Sequence, residues 1–191
     1  MYKLVTINDT VRVPPEKFDM PKNESILSAL RDKYENRVDV DLGVTIVISK
    51  VSDIGRGKLI PGDGASYHNV TFEALTFSPQ LHEIATGKVS EIAQFGAFIR
   101  IGPIDGLVHV SQITDDFISY NEKTGTLIGK ESGKVLKEGD EVRARIVTLS
   151  IKPVTTESKI GLTMRQPGLG KLEWVDKEKK TKKGGKKSGS K

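Results

Sequence analysis

The chain of 191 residues is 36% hydrophobic and 29% charged with a formal net charge of +5, a balance that fits a soluble globular protein of one large or two small domains. It has no cysteine, which excludes disulfides and thiolate metal sites and is compatible with a cytoplasmic location. No stretch approaches the ~20 apolar residues of a membrane span, and MYKLVTINDT lacks the basic-then-apolar order of a signal peptide, so a cytoplasmic protein without membrane contact is expected.

MYKLVTINDTVRV alternates as a strand does, and Pro14-Pro15 ends it because proline cannot donate to a sheet ladder. In KNESILSALRDKYENR the residues Ile26, Leu27, Leu30 and Tyr34 recur at helical spacing, with Asn23 as the expected cap. The β-branched run VDVDLGVTIVISKVSDI (38–54) predicts one long strand. Asp39 and Asp41 would then share a face, and with no third ligand they read as a solvated edge. GRGKLIPGDGAS carries turn chemistry, and 67–77 alternates as a further strand. A strand, a helix and a long hairpin make an α+β unit over residues 1–79, an antiparallel sheet with a helix on one face. The glycines of 55–64 do not form a phosphate loop, because Gly57-Lys58 is followed by Leu59 and then by a strand rather than a helix. A projecting hairpin loop is expected instead, with Arg56, Lys58, Leu59 and Ile60 offered to another protein.

After Ser78-Pro79 the pattern becomes all-β. HEIATGKVSEI, QFGAFIRIG, DGLVHVSQI, DEVRARIVTLSI and SKIGLTMR are five short alternating segments, which predicts a five-stranded Greek-key barrel of the OB type over 80–165. The link between the third and fourth strands is longer than a hairpin needs and contains Phe117 and Tyr120; KVLKEGDEV reads as the turn into the fourth strand. Residues 166–175 form a C-terminal extension. The remaining DKEKKTKKGGKKSGSK (176–191) has eight lysines against two acids, hence +6. The body 1–175 therefore sums to −1, and the pI near 9.3 belongs to the tail. Without apolar residues this tail is expected to be disordered, either as a solubilising segment or as a salt-sensitive attractor of phosphates.

Side chains alternate between faces along a strand. With Ala97, Ile99, Ile101, Val108 and Val110 pointing into the barrel, Phe98, Arg100 and His109 point out, while Gly96 leaves the face of Phe95 open. Either a loop, a neighbouring domain or a partner covers these aromatics, or they stack nucleic-acid bases at about 1–3 kcal/mol each. In the second case Arg100, Lys88 and Lys159 are at hand for phosphates. No catalytic set assembles: His68, His82 and His109 lack metal-ligand spacing, and Ser111 lacks a nucleophile elbow. A protein without cofactor or metal is expected.

GKVSEIAQFGAFIRIGPIDGLVHVSQITDD, with Phe-Gly-Ala-Phe, Gly-Leu-Val-His-Val-Ser and a fifth strand ending Leu-Thr-Met-Arg, resembles the S1-type RNA-binding domain. That resemblance implies that Phe95, Phe98 and His109 lie on an RNA face. The approach to the fifth strand, SIKPVTTESKIGL, has no aspartate and places Lys159 where the family carries an arginine. Over residues 1–175, VRVPPE, DIGRGKLIPGDGASYHNVTFEALTF, the barrel and MRQPGLGKLEW are together similar to the E-prime family, the larger stalk subunits of archaeal DNA-directed RNA polymerase. Membership implies a non-catalytic subunit with an RNP-like tip domain docked on the polymerase core. It implies a heterodimer with the smaller stalk subunit, named F, contact with single-stranded nascent RNA, and help with promoter opening and processivity. The alternative is a free-standing S1-type RNA-binding factor in translation or RNA decay.

Overall fold

The alternating N-terminal segment forms β1 (Tyr2–Val13), which Pro14 and a 3-10 turn, Pro15–Lys17, end. The computed structural model describes residues 1–39, 41–151 and 159–177, and these fall into two units, Met1–Pro79 and a second that begins at Gln80.

In the first unit α1 (Lys22–Tyr34) is followed by β2 (Val38–Asp39), β3 (Gly43–Ile54), β4 (Lys58–Ile60) and β5 (Asp63–Phe77). The sheet runs β1-β5-β3-β2, with β4 also paired to β5. Ile26, Ala29 and Leu30 of α1 pack on Val11, Val13, Ile48, Val70, Phe72 and Ala74 of the sheet. Apolar burial at about 25 cal/mol per Å² is what holds this layer. Polar clasps flank it: Asp9 accepts from both Lys33 and Tyr34, and Lys17 bridges to Asp32. Burial alone would raise the Asp9 pKa, yet the hydrogen bonds from Lys33 and Tyr34 hold it below its ordinary value.

Three expectations for this unit are corrected. The helix starts before Asn23, which lies inside its first turn; Pro21 takes the cap position without a side-chain bond, since proline fixes φ and has no N–H to satisfy. The run 38–54 is two strands, because Asp39 accepts the amides of Asp41 (2.9 Å) and Leu42 (3.1 Å) and closes a turn. Asp39 and Asp41 therefore do not share a strand face, and Asp39 has a turn to hold. The strand expected over 67–77 begins at Asp63, because the projecting hairpin loop of 55–64 is itself strand-paired, with Lys58 and Leu59 in register with Tyr67 and Ser66.

The second unit contains β6 (Ile84–Ala93), β7 (Gly96–Ile101), β8 (Ile104–His109), β9 (Ile118–Asn121), β10 (Thr126–Gly129), β11 (Val135–Leu136), β12 (Glu141–Ser150), β13 (Lys159–Thr163) and β14 (Gly170–Lys171). The order β13-β8-β7-β6-β12, closed by pairing of β12 with β13, is the five-stranded OB barrel, and β14 adds to β12. Ala97, Ile99, Ile101, Val108, Ala144, Ile146 and Leu162 fill it. Val110, expected inside, is half-buried and starts a 3-10 turn, Val110–Gln112. The long link forms its own three-stranded sheet, β11-β10-β9, so Val135 and Leu136, taken for part of a turn, belong to a strand. Asp116 fastens this insert by accepting the Glu131 and Ser132 amides and the Ser132 hydroxyl. Lys171, buried at 9% exposure, reaches Asp140 at 3.0 Å and Glu173 at 3.1 Å. Residues 172–177 are helical, so Asp176 and Lys177, assigned to the tail by composition, complete a turn; the rest of the tail lies outside the described residues.

Candidate nucleic-acid interface

The outer face of β7 and β8 is set by register. Gly96 pairs with His109, Phe98 with Leu107 and Arg100 with Asp105, while Ala97 and Ile99 between them are fully buried. Phe98, Leu107 and His109 therefore share the outward face. Phe95, whose face the pattern left open, is half exposed and meets Phe98 edge-on, with ring centroids 6.0 Å apart and planes at 89°. In an edge-to-face pair the edge of one ring covers one face of the other, and the remaining faces stay open for stacking.

Gly96 makes this platform possible. A Cβ there would stand 2.2 Å from the Val108 carbonyl oxygen and 3.1 Å from the His109 Cα, so only glycine admits the close approach. The Val110 amide donates to the Phe95 carbonyl at 2.9 Å, and the Ser90 hydroxyl to the Phe98 carbonyl at 3.3 Å. His109 is exposed, and its Nδ1 lies 2.8 Å from the Ser111 hydroxyl and accepts the Ser111 amide at 3.3 Å. The imidazole is thus held by its own turn, with Nε2 directed away from that turn.

The charged residues are arranged around this platform. Arg100 is exposed and bonded to Asp105 at 3.3 Å. Lys88 on β6 lies directly opposite Arg100 and is exposed. Lys159 opens β13, two residues before Gly161, which registers with Leu107. Glu91 faces Phe98 from β6. The structure thus gathers Phe95, Phe98, His109, Arg100 and Lys88 on β6–β8 and sets Lys159 at the neighbouring strand. Leu107, which completes the apolar patch, was missed; its alternation with Val108 was the signal that could have found it.

The second predicted surface, in the first unit, is the β4–β5 hairpin. Leu59 is 74% and Ile60 49% exposed, and Arg56 and Lys58 are exposed beside them. Its turn is fixed: Arg12 donates to both Asp63 oxygens at 2.9 and 2.7 Å, and Tyr67 to Asp63 at 2.6 Å, Asp63 being the residue paired with Ile60 across the turn. Hydrogen bonds from Arg12 and then Tyr67 hold the Asp63 carboxyl well below the usual carboxylate range. Gly57 lies against the His68 ring, which bonds the Gly55 carbonyl and the Ser66 hydroxyl; His68 is a packing residue of the hairpin. Among the described residues no group of three His, Asp or Glu converges to hold a metal ion, and no helix is long and apolar enough to cross a membrane.

Residues 8–64 match the family described as "SHS2 domain found in N terminus of Rpb7p/Rpc25p/MJ0397", and residues 78–152 match the S1 RNA binding domain. A protein of Saccharolobus shibatae named DNA-directed RNA polymerase subunit Rpo7 is 43% identical over 94% of this chain and 100% of its own length. Its namesake in Sulfolobus acidocaldarius is 42% identical over 93% of this chain and 97% of its own. The DNA-directed RNA polymerase III subunit RPC8 of Saccharomyces cerevisiae is 40% identical over 83% of this chain and 78% of its own.

Proposed function

The chain belongs to the Rpo7 family of DNA-directed RNA polymerase subunits, a non-catalytic stalk subunit, and on that premise we propose that it grips single-stranded nascent RNA on the β7–β8 face while its first unit docks on the polymerase. The observation that carries the RNA reading is the outward row Phe98, Leu107 and His109, with Phe95 edge-on to Phe98 and cations on the adjoining strands. Outward aromatics stack any base, and the flanking cations act on the backbone, so the grip is weak and indifferent to sequence. Arg56, Lys58, Leu59 and Ile60 on the hairpin whose turn Asp63 clasps form the docking point for a core subunit, an apolar tip rimmed by cations. The smaller stalk subunit is the heterodimer partner, and the assembled pair assists promoter opening and processivity in the cytoplasm.

The test is a pull-down of the tagged full chain from the native cell extract, washed with nuclease and high salt, with partners identified by mass spectrometry. A small partner recovered with the large polymerase subunits is the expected result. Recovery of ribosomal proteins or decay enzymes instead would point to a free-standing RNA-binding factor.

A further inference from the structure

The barrel's cations divide into two groups. Arg100, Arg165 and Lys171 are each ion-paired, with Asp105, Asp115 and Asp140 respectively. Lys88, Arg143 and Arg145, like Lys159 at the start of β13, have no acidic partner among the described residues, and the Arg145 Nε is buried without a hydrogen bond. These three do not lie at random. On β6, Ala85 and Val89 point inward, so Ile84, Thr86 and Lys88 point outward; on β12, Val142, Ala144 and Ile146 point inward, so Glu141, Arg143 and Arg145 point outward. The ladder pairs Lys88 with Glu141, Thr86 with Arg143 and Ile84 with Arg145, and it pairs Lys88 with Arg100 on the other side.

From these registers the outward residues Phe98, Arg100, Lys88, Arg143 and Arg145 form one diagonal across β7, β6 and β12, each step level with or beyond the last. Strand geometry gives it a contour of about 20 Å along the strands and about 10 Å across them. Two features of the diagonal need an anion. Lys88 and Arg100 are like charges set directly opposite, an arrangement that destabilises a sheet, and Asp105 neutralises only the Arg100 side of it. Arg145 keeps an unsatisfied buried N–H, which costs free energy until an acceptor arrives. Three carboxylates border it: Asp105 binds Arg100, while Glu91 faces Phe98 and Glu141 faces Lys88, neither in an ion pair with the diagonal.

We propose that the diagonal is a phosphodiester track: single-stranded RNA stacked on Phe98 carries its backbone over Arg100 and Lys88 onto Arg143 and Arg145, away from β8 and round the barrel to the edge of β12 where Arg145 registers with Thr163 of β13. Arg143 and Arg145 are thereby RNA-contacting residues that neither the S1 motif nor the aromatic pattern marks. The inference rests on the RNA reading of the β7–β8 face and adds to it a direction.

The experiment measures anisotropy of a fluorescein-labelled oligouridylate with the full-length chain across a salt series. Each phosphate contact to a single strand contributes about 0.7 to the slope of log K against log salt. Lys88→Gln with Arg143→Gln should therefore lower the slope by about 1.4, and Arg145→Gln should lower it further. Phe98→Ala should weaken binding with the slope kept. The double variant leaves the buried Arg145 Nε in place, so it stays informative if Arg145→Gln unfolds the barrel. An unchanged slope in the double variant, with Phe98→Ala still weakening binding, overturns the track and spares the platform. An unchanged slope with loss of polymerase subunits from the pull-down also overturns it and makes this surface a protein contact. A wild-type chain that binds no oligonucleotide overturns the platform reading itself.

Discussion

Replacing Gly96 by alanine tests whether the β7–β8 approach sets the platform. The added Cβ would stand 2.2 Å from the Val108 carbonyl oxygen and 3.1 Å from both the Val108 carbonyl carbon and the His109 Cα. All three are backbone atoms, so no side chain can rotate away; β7 and β8 must part. Overpacking of this kind costs about 1–3 kcal/mol. The neighbouring Val110 amide to Phe95 carbonyl bond is lost with it, at about 1 kcal/mol. At about 4–8 °C per kcal/mol for a domain of this size, the barrel midpoint should fall by roughly 8–30 °C. Trp174 is the one tryptophan of the chain and lies in the second unit, so its fluorescence on heating reports this transition. Gly62→Ala is the control: no atom lies within 4 Å, and only its φ of +90° is strained, in the other unit. A barrel midpoint unmoved by Gly96→Ala, or moved equally by Gly62→Ala, would refute the reasoning.

Phe98→Ala combined with His109→Ala should weaken oligonucleotide binding by about 5–150-fold for each lost stack while the pull-down partners are retained; unchanged affinity at fixed salt counts against the platform. Replacing residues 55–64 by a short Gly-Ser link should abolish co-purification with the large polymerase subunits and leave the Trp174 melting curve in place; normal recovery would remove the hairpin from the docking surface. Asp63 is held below its ordinary pKa of 3.8 by Arg12 and then Tyr67. Its contribution is therefore complete above that value and is lost as pH falls through the depressed folded value. The thermal midpoint of the first unit should drop in that acid range, and Asp63→Asn should flatten the drop; an identical acid profile in the variant would show that the clasp does not stabilise the hairpin turn.

The barrel was legible because its strands obey a period of two. Ala97, Ile99 and Ile101 alternate with Phe98 and Arg100, so the outward face of β7 could be read before any coordinate. The break at residues 40–42 was not legible. The β-branched run continues through it, and the cause is one carboxylate, Asp39, accepting two amides, a local bond that propensity cannot report. The sheet inserted between β8 and β12 was hidden by its short strands and turn-rich composition. Arg143 and Arg145 were visible as outward residues of β12, but their relation to Phe98 depends on two strand registers, which composition and periodicity leave undetermined.

Charge shows most clearly why register decides function here. The body of the chain is close to neutral and the excess of lysine sits beyond it, which by itself suggests a folded part indifferent to nucleic acid. Electrostatic attraction in physiological salt, however, reaches only about 8 Å. Charges elsewhere on the chain beyond that distance do not weaken a local track. In the first unit, Arg12, Lys17 and Lys33 are spent on Asp63, Asp32 and Asp9, where they hold structure. On the barrel, Lys88, Arg143 and Arg145 remain without such partners among the described residues and are lined up by the ladder. A near-neutral subunit whose unpaired barrel cations are lined up by register has little general affinity for the abundant polyanions of a cell. On the proposed reading it still guides a transcript whose bases are already stacked at Phe98. Neutralising charges by substitution on this diagonal should therefore change RNA binding far more than removing the same number from the first unit, although the net charge changes equally.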